Sequence, residues 1–78
     1  MTNLEKYDKL FMSQMHLTKE ELPGLQYNRH KYWDSLGHMD LMTSMEETFG
    51  IQLSTLDVLE FSTYELGKEV LAKYGVEI

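Results

Sequence analysis

The stretch Trp33-Asp34-Ser35-Leu36-Gly37-His38-Met39-Asp40-Leu41-Met42-Thr43-Ser44-Met45-Glu46-Glu47-Thr48-Phe49-Gly50 decides the fold class, because it reads as one amphipathic helix with both ends marked. At 100° per residue, His38, Leu41, Met42, Met45 and Phe49 share an arc of about 100°, wide enough for a core-facing stripe. Asp34 is a favoured N-cap, and its charge suits the positive end of the helix dipole. Gly50 suits the position where a helix ends in the left-handed conformation. Leu36, Met39, Asp40, Thr43 and Glu47 fall on the opposite arc. Two apolar side chains among acids on an outward face fit a docking surface, with apolar knobs for contact and acids for steering. The alternative for Leu36 and Met39 is that the preceding loop covers them.

Upstream, Leu4, Tyr7, Phe11 and Met15 recur at helical spacing, with Leu10 beside them, and predict a helix over about residues 3–15. Thr2 and Glu5 form a capping box, and Glu5 and Lys9 are spaced for an i,i+4 pair. Residues 16–33 read as a long connection with a turn at Pro23-Gly24 and a single capped turn at Thr18–Glu21. Leu22, Leu25, Tyr27, Tyr32 and Trp33 have no steady period there. A loop this long is functional or anchored by its own side chains, and these aromatics predict anchoring over the core. Arg29, His30 and Lys31 read as a solvated basic cluster.

Downstream, Ser54 and Asp57 predict a short capped helix. Ile51-Gln52-Leu53 alternates like a strand but has no partner strand in the sequence. Ser62 with Glu65 predicts the cap of a last helix, with Leu66, Val70, Tyr74 and Leu71 inward and Gly75 as terminator. Val76 and Ile78 are placed to pack back. The expectation is an all-α bundle of three main helices and one short helix, in a single domain over residues 1–78.

Bulk properties agree with a small globule. Of 78 residues, 42% are hydrophobic, enough for a compact core, and there is no cysteine for disulfides or thiolate metal ligands. No apolar run approaches the roughly 18 residues of a membrane helix, and the N-terminus lacks the layout of a secretory signal. A cytoplasmic protein without membrane insertion is expected. Residues 1–33 hold five Lys/Arg and four Asp/Glu, whereas residues 34–78 hold two Lys and nine Asp/Glu. That surface repels nucleic acid and attracts basic protein patches.

Catalytic signals are absent. His16, His30 and His38 are scattered without metal-ligand spacing, and no Ser-His-Asp set or glycine-rich phosphate loop is visible. No metal site and no enzyme activity are expected. His38 lies on the core arc and reads as a structural histidine. Ser35 lies at the helix start beside Asp34. By position alone, such a serine is usually only a cap, and nothing in the position prefers a modification site.

The resemblance of the sequence to a known family separates those readings. Asp34-Ser35-Leu36 at a helix start resembles the phosphopantetheine attachment motif of acyl and peptidyl carrier proteins. Met45-Glu46-Glu47-Thr48-Phe49-Gly50-Ile51 is similar to the Leu-Glu-Glu-x-Phe-x-Ile end of that family's second helix. The preceding helix and Pro-Gly loop, and the short and capped helices that follow, extend the resemblance over essentially the whole chain. It implies an acyl-carrier-like bundle in which Ser35 carries a covalent 4'-phosphopantetheine arm and Asp34 helps a phosphopantetheinyl transferase engage. It also implies that Leu36, Met39, Asp40 and Glu47 meet partner enzymes of the acyl-activating, acyltransferase or ketosynthase type. The chain would be a monomeric carrier of acyl or aminoacyl thioesters in fatty acid or secondary metabolite biosynthesis. Gly37 departs from the pattern, since many fatty-acid carriers have Asp there, and Thr43 stands where an apolar residue is common. The Trp33…Gly37-His38 variant is closer to stand-alone carriers of secondary or surface-polysaccharide pathways. Met15, Met42 and Met45 suit either a core or a chain-sequestering interior, and core filling is the simpler reading. The competing functional reading is an unmodified helical interaction module that kept the fold and lost the arm.

Overall fold

A computed structural model describes residues 1–78 as four α-helices: α1 Asn3–Met15, α2 Ser35–Phe49, α3 Thr55–Glu60 and α4 Tyr64–Ala72. A 3-10 turn covers Lys19–Glu21. The all-α bundle expected from the sequence is the fold observed. None of its helices is long and apolar enough to cross a membrane.

Helix α1 starts where the capping box places it. The Glu5 N–H donates to Thr2 Oγ1 at 3.1 Å, and the Thr2 N–H donates to Glu5 Oε1 at 2.9 Å. Hydrogen bonds from the Thr2 backbone, then its side chain, hold the Glu5 carboxyl below the usual carboxylate range. Tyr7, Phe11 and Met15 are fully buried, whereas Leu4 is exposed, at the margin of the bundle beside Met1. Glu5 and Lys9 do not pair; the ion pairs of this fold join Lys73 to Asp57 and Glu60. Asp8 is buried and accepts from the Tyr64 hydroxyl, and the Tyr7 hydroxyl donates to the Tyr64 carbonyl at 2.6 Å. These bonds tie α1 to the start of α4.

The long connection is anchored through backbone as well as side chains. The Tyr27 N–H donates to the Ser62 carbonyl at 2.8 Å, and the Tyr64 N–H to the Leu25 carbonyl at 3.0 Å. This bridge corrects the expected cap of α4. With the Ser62 carbonyl engaged by the loop, Thr63 is the N-cap, and its Oγ1 accepts from the Leu66 N–H at 2.9 Å. Glu65 turns instead to the Gly24 N–H, at 2.9 Å. Leu22 and Trp33 are fully buried and Tyr27 half-buried, but Tyr32 stays outside, its ring against His16. Residues 51–53 form no strand.

Helix α3 is capped by Ser54 Oγ, which accepts from the Asp57 N–H at 3.2 Å. It is fastened to the end of α4 by Tyr74 and Lys73. The Ser54 N–H donates to the Tyr74 hydroxyl at 3.0 Å, and Lys73 Nζ reaches Glu60 at 2.7 Å and Asp57 at 3.1 Å. The Tyr74 hydroxyl and then the Lys73 ammonium hold the Asp57 carboxyl below its ordinary range. The chain beyond α4 turns at Gly75, and the Val76 N–H returns to the Leu71 carbonyl at 3.1 Å, which seats Val76 on the core.

Leu66, expected inward on α4, is exposed, while Tyr64, Gly67, Val70 and Leu71 face the core. Gly67 is there because α4 crosses α1 without room for a methyl group. A Cβ would lie 2.2 Å from the Tyr7 hydroxyl and 2.4 Å from the nearest Phe61 ring atom. Overpacking of this kind costs about 1–3 kcal/mol, against about 1 kcal/mol gained by replacing a helical glycine. Gly67→Ala is therefore expected to lose up to about 2 kcal/mol and to melt up to roughly 15 °C below the wild type. A rise on thermal denaturation would show that the Tyr7 and Phe61 rings have slack to move.

Candidate functional site

Asp34 adopts extended backbone, and its Oδ1 accepts from the Gly37 N–H at 2.9 Å. The aspartate thus does the capping, and the Ser35 hydroxyl is left free of it. Ser35 is exposed at the first position of α2, with the Tyr27 hydroxyl 3.4 Å from its Oγ. A nucleophilic oxygen is presented to solvent at the electropositive end of a 15-residue helix.

The loop before Ser35 is held by a buried polar relay. Trp33 is fully buried, and its indole N–H donates to His38 Nδ1 at 2.9 Å. The other ring nitrogen, Nε2, lies 2.8 Å from the Val58 carbonyl. An indole N–H can only donate and a carbonyl can only accept, so the two partners select the neutral Nε2–H tautomer. His38 is a structural residue, as its place on the core arc implied, and it links the Ser35 loop, α2 and α3. Sequence reasoning did not find its two partners, because neither the bond to Trp33 nor the bond to Val58 follows helix spacing.

Gly37 makes the approach of this loop possible. A Cβ there would lie 2.0 Å from the Tyr32 carbonyl oxygen and 3.2 Å from its carbon, both backbone atoms. The departure at Gly37 is thus a packing requirement of the Tyr32–Asp34 segment.

Leu36 and Met39 are 79% and 55% exposed, so the loop does not cover them. Asp40, Thr43 and Glu47 are exposed on the same helix. Glu46 behaves differently from its neighbour, since its Oε2 accepts from the Leu53 N–H at 2.7 Å and braces the link into α3. The structure adds two residues that the sequence reading missed. Leu56 and Leu59 on α3 are 65% and 72% exposed. Their brief pattern gave no stripe to assign, and only the six-residue length of α3 and its position beside α2 turn them outward. A groove of about 400 Å³ between α2 and α3 is lined by five apolar side chains, Met42 and Leu59 among them, and by Thr43, Glu46 and Thr55. Met15 and Met45 are fully buried core residues, and Met42 is buried at the floor of that groove. Compared with family models, with curated proteins and with solved structures, the chain matches none of them.

Proposed function

We propose that this protein is an acyl carrier, catalysing nothing by itself, with Ser35 as the attachment point of a 4'-phosphopantetheine arm. The observation that carries the reading is the Ser35 hydroxyl, exposed at a helix start and released from capping by Asp34. The residues around it fit the group. The first turn of α2 offers a positive dipole end to a phosphodiester, and Leu36, beside Ser35, is itself exposed, leaving the hydroxyl accessible. Loading would proceed by attack of Ser35 Oγ on the pantetheine-side phosphorus of coenzyme A. The phosphodiester forms, the pyrophosphate bond breaks, adenosine 3',5'-bisphosphate departs, and the serine proton passes to a base on the transferase. The arm's terminal thiol supplies a site for an acyl or aminoacyl thioester.

Leu36, Met39, Asp40 and Glu47, now joined by Leu56 and Leu59, form the surface offered to the transferase and to acyl-activating, acyltransferase or ketosynthase-type enzymes. Exposed apolar side chains interleaved with acids support fast, salt-sensitive docking to basic patches. A tethered cargo reaches each docked enzyme at high effective concentration, so binding need not be tight. The groove between α2 and α3, apolar apart from Thr43, Glu46 and Thr55, offers a surface for an apolar cargo. A monomer in the cytoplasm, taking no part with nucleic acid, completes this reading.

Incubation with coenzyme A and a broad-specificity phosphopantetheinyl transferase is expected to add one arm to the wild type and none to Ser35→Ala, read by intact mass. Uptake by Ser35→Ala, or none by the wild type, would overturn the carrier reading. The second outcome would favour an unmodified helical interaction module using the same exposed face.

A further inference from the structure

We infer that Tyr27 is a positioning residue for Ser35, its phenol hydroxyl donating a hydrogen bond to the phosphoryl group attached at Ser35 Oγ. The inference rests on the reading of Ser35 as an attachment site and deepens it, because it names a loop residue that no helix-based motif includes.

The phenol is held in place from several directions. Its backbone N–H is bonded to the Ser62 carbonyl at 2.8 Å, and the neighbouring Gln26 bridges to Thr63. Its ring lies 4.9 Å, centroid to centroid, from His38, and meets Trp33 edge-on at 6.3 Å. His38 is itself immobilised by Trp33 and the Val58 carbonyl. The ring is half-buried, and the hydroxyl lies 3.4 Å from Ser35 Oγ.

That separation is long for a bond between two hydroxyls. It leaves room for the phenol to meet a group placed on Oγ, since a phosphoryl oxygen carried there would come within hydrogen-bond reach of the Tyr27 hydroxyl in a suitable rotamer. A phenol donating to an anionic phosphodiester makes a charge-assisted bond, stronger than the weak contact in the unmodified protein. The same contact would form as negative charge gathers on the phosphoryl oxygens during transfer, so it would favour the reaction as well as the product. The structure also accounts for the anchoring of the long loop at both Ser62 and Trp33: it delivers one hydroxyl to one serine.

The test compares wild type, Tyr27→Phe and Tyr27→Leu in loading by coenzyme A and a broad-specificity phosphopantetheinyl transferase. Tyr27→Phe keeps the ring and is expected to melt near the wild type, while kcat/KM for the carrier falls about tenfold to a hundredfold, the size of one hydrogen bond to a charged group. KM for coenzyme A, which the transferase binds, is expected to stay unchanged. In the loaded wild type, a nuclear Overhauser effect is expected between the Tyr27 ring protons and the first methylene of the arm. Loading of Tyr27→Phe at the wild-type rate, with only Tyr27→Leu impaired, would reduce Tyr27 to a packing residue and overturn the inference while the attachment reading stands. Absence of that Overhauser contact in the loaded wild type would overturn it whatever the variants do. Failure of the wild type to load would remove the attachment reading and this inference together.

Discussion

Trp33→Ala is expected to remove about 3–5 kcal/mol, most of the stability of a domain this small. Trp33 is among the largest of the fully buried side chains, set edge-on to Phe11 at 5.3 Å, so its loss opens a cavity at the centre of the core. It also strips His38 Nδ1 of its donor, leaving a buried acceptor unsatisfied at about 1–3 kcal/mol. These costs overlap, because the cavity can admit a water molecule to His38. With about 4–8 °C per kcal/mol for a chain of this size, the melting temperature is expected to fall by 15 °C or more, or the variant to be largely unfolded at 25 °C. Trp33→Phe separates the two effects: it keeps most of the volume and loses the hydrogen bond, and is expected to fall between wild type and Ala. A Trp33→Ala variant melting within a few degrees of wild type would show that the loop before Ser35 is held by its backbone bonds instead.

The second large effect is expected at Gly37. Gly37→Asp adds the acid that many proteins of the proposed carrier family have at this position, and by charge alone it would enrich the proposed docking face. The geometry opposes it. A Cβ 2.0 Å from the Tyr32 carbonyl oxygen cannot be relieved by a rotamer change, because both sides of the clash are backbone. The Tyr32–Asp34 segment must withdraw from α2, which disturbs the Asp34 cap and the seat of Trp33 together. Replacing a helical glycine gains about 1 kcal/mol for Ala and only a few tenths for Asp, and the displaced loop is expected to cost more, for a net loss of about 2 kcal/mol or above. Gly37→Ala isolates the Cβ from the added charge and is expected to lose a similar amount in urea denaturation. Stability at or above wild type in both variants would mean that the loop reseats freely, and that Gly37 is not what brings it onto the helix.

Helix starts and core stripes were legible because they are local. Thr2 with Glu5, Asp34, Ser54 and the arc of His38, Leu41, Met42 and Met45 depend only on residues one or two turns apart. So does the outward direction of Leu36 and Met39, which follows from their angle to that arc. The same locality marked Asp34 as the cap and placed Ser35 beside it at the helix start, and the Gly37 N–H donating to Asp34 Oδ1 bears the cap out.

Local pattern failed where a distant segment competed for a group. Ser62 satisfies the spacing of a capping box, but its carbonyl is claimed by Tyr27, 35 positions away in the chain (62 − 27), and the cap moves to Thr63. Leu4 and Leu66 lie on plausible stripes, but each reaches the edge of the bundle where no element covers it. Asp8 is buried although it is an acid, because Tyr64 from the far end of the chain supplies its hydrogen bond. The sequence by itself determined four helices, the core faces of the first two in the main and the serine that begins the second. Tertiary structure alone decided that Tyr27 meets that serine, that Trp33 and Val58 hold His38, and that Gly37 lies against Tyr32, because periodicity reports which face a residue occupies and not which distant atom will satisfy it.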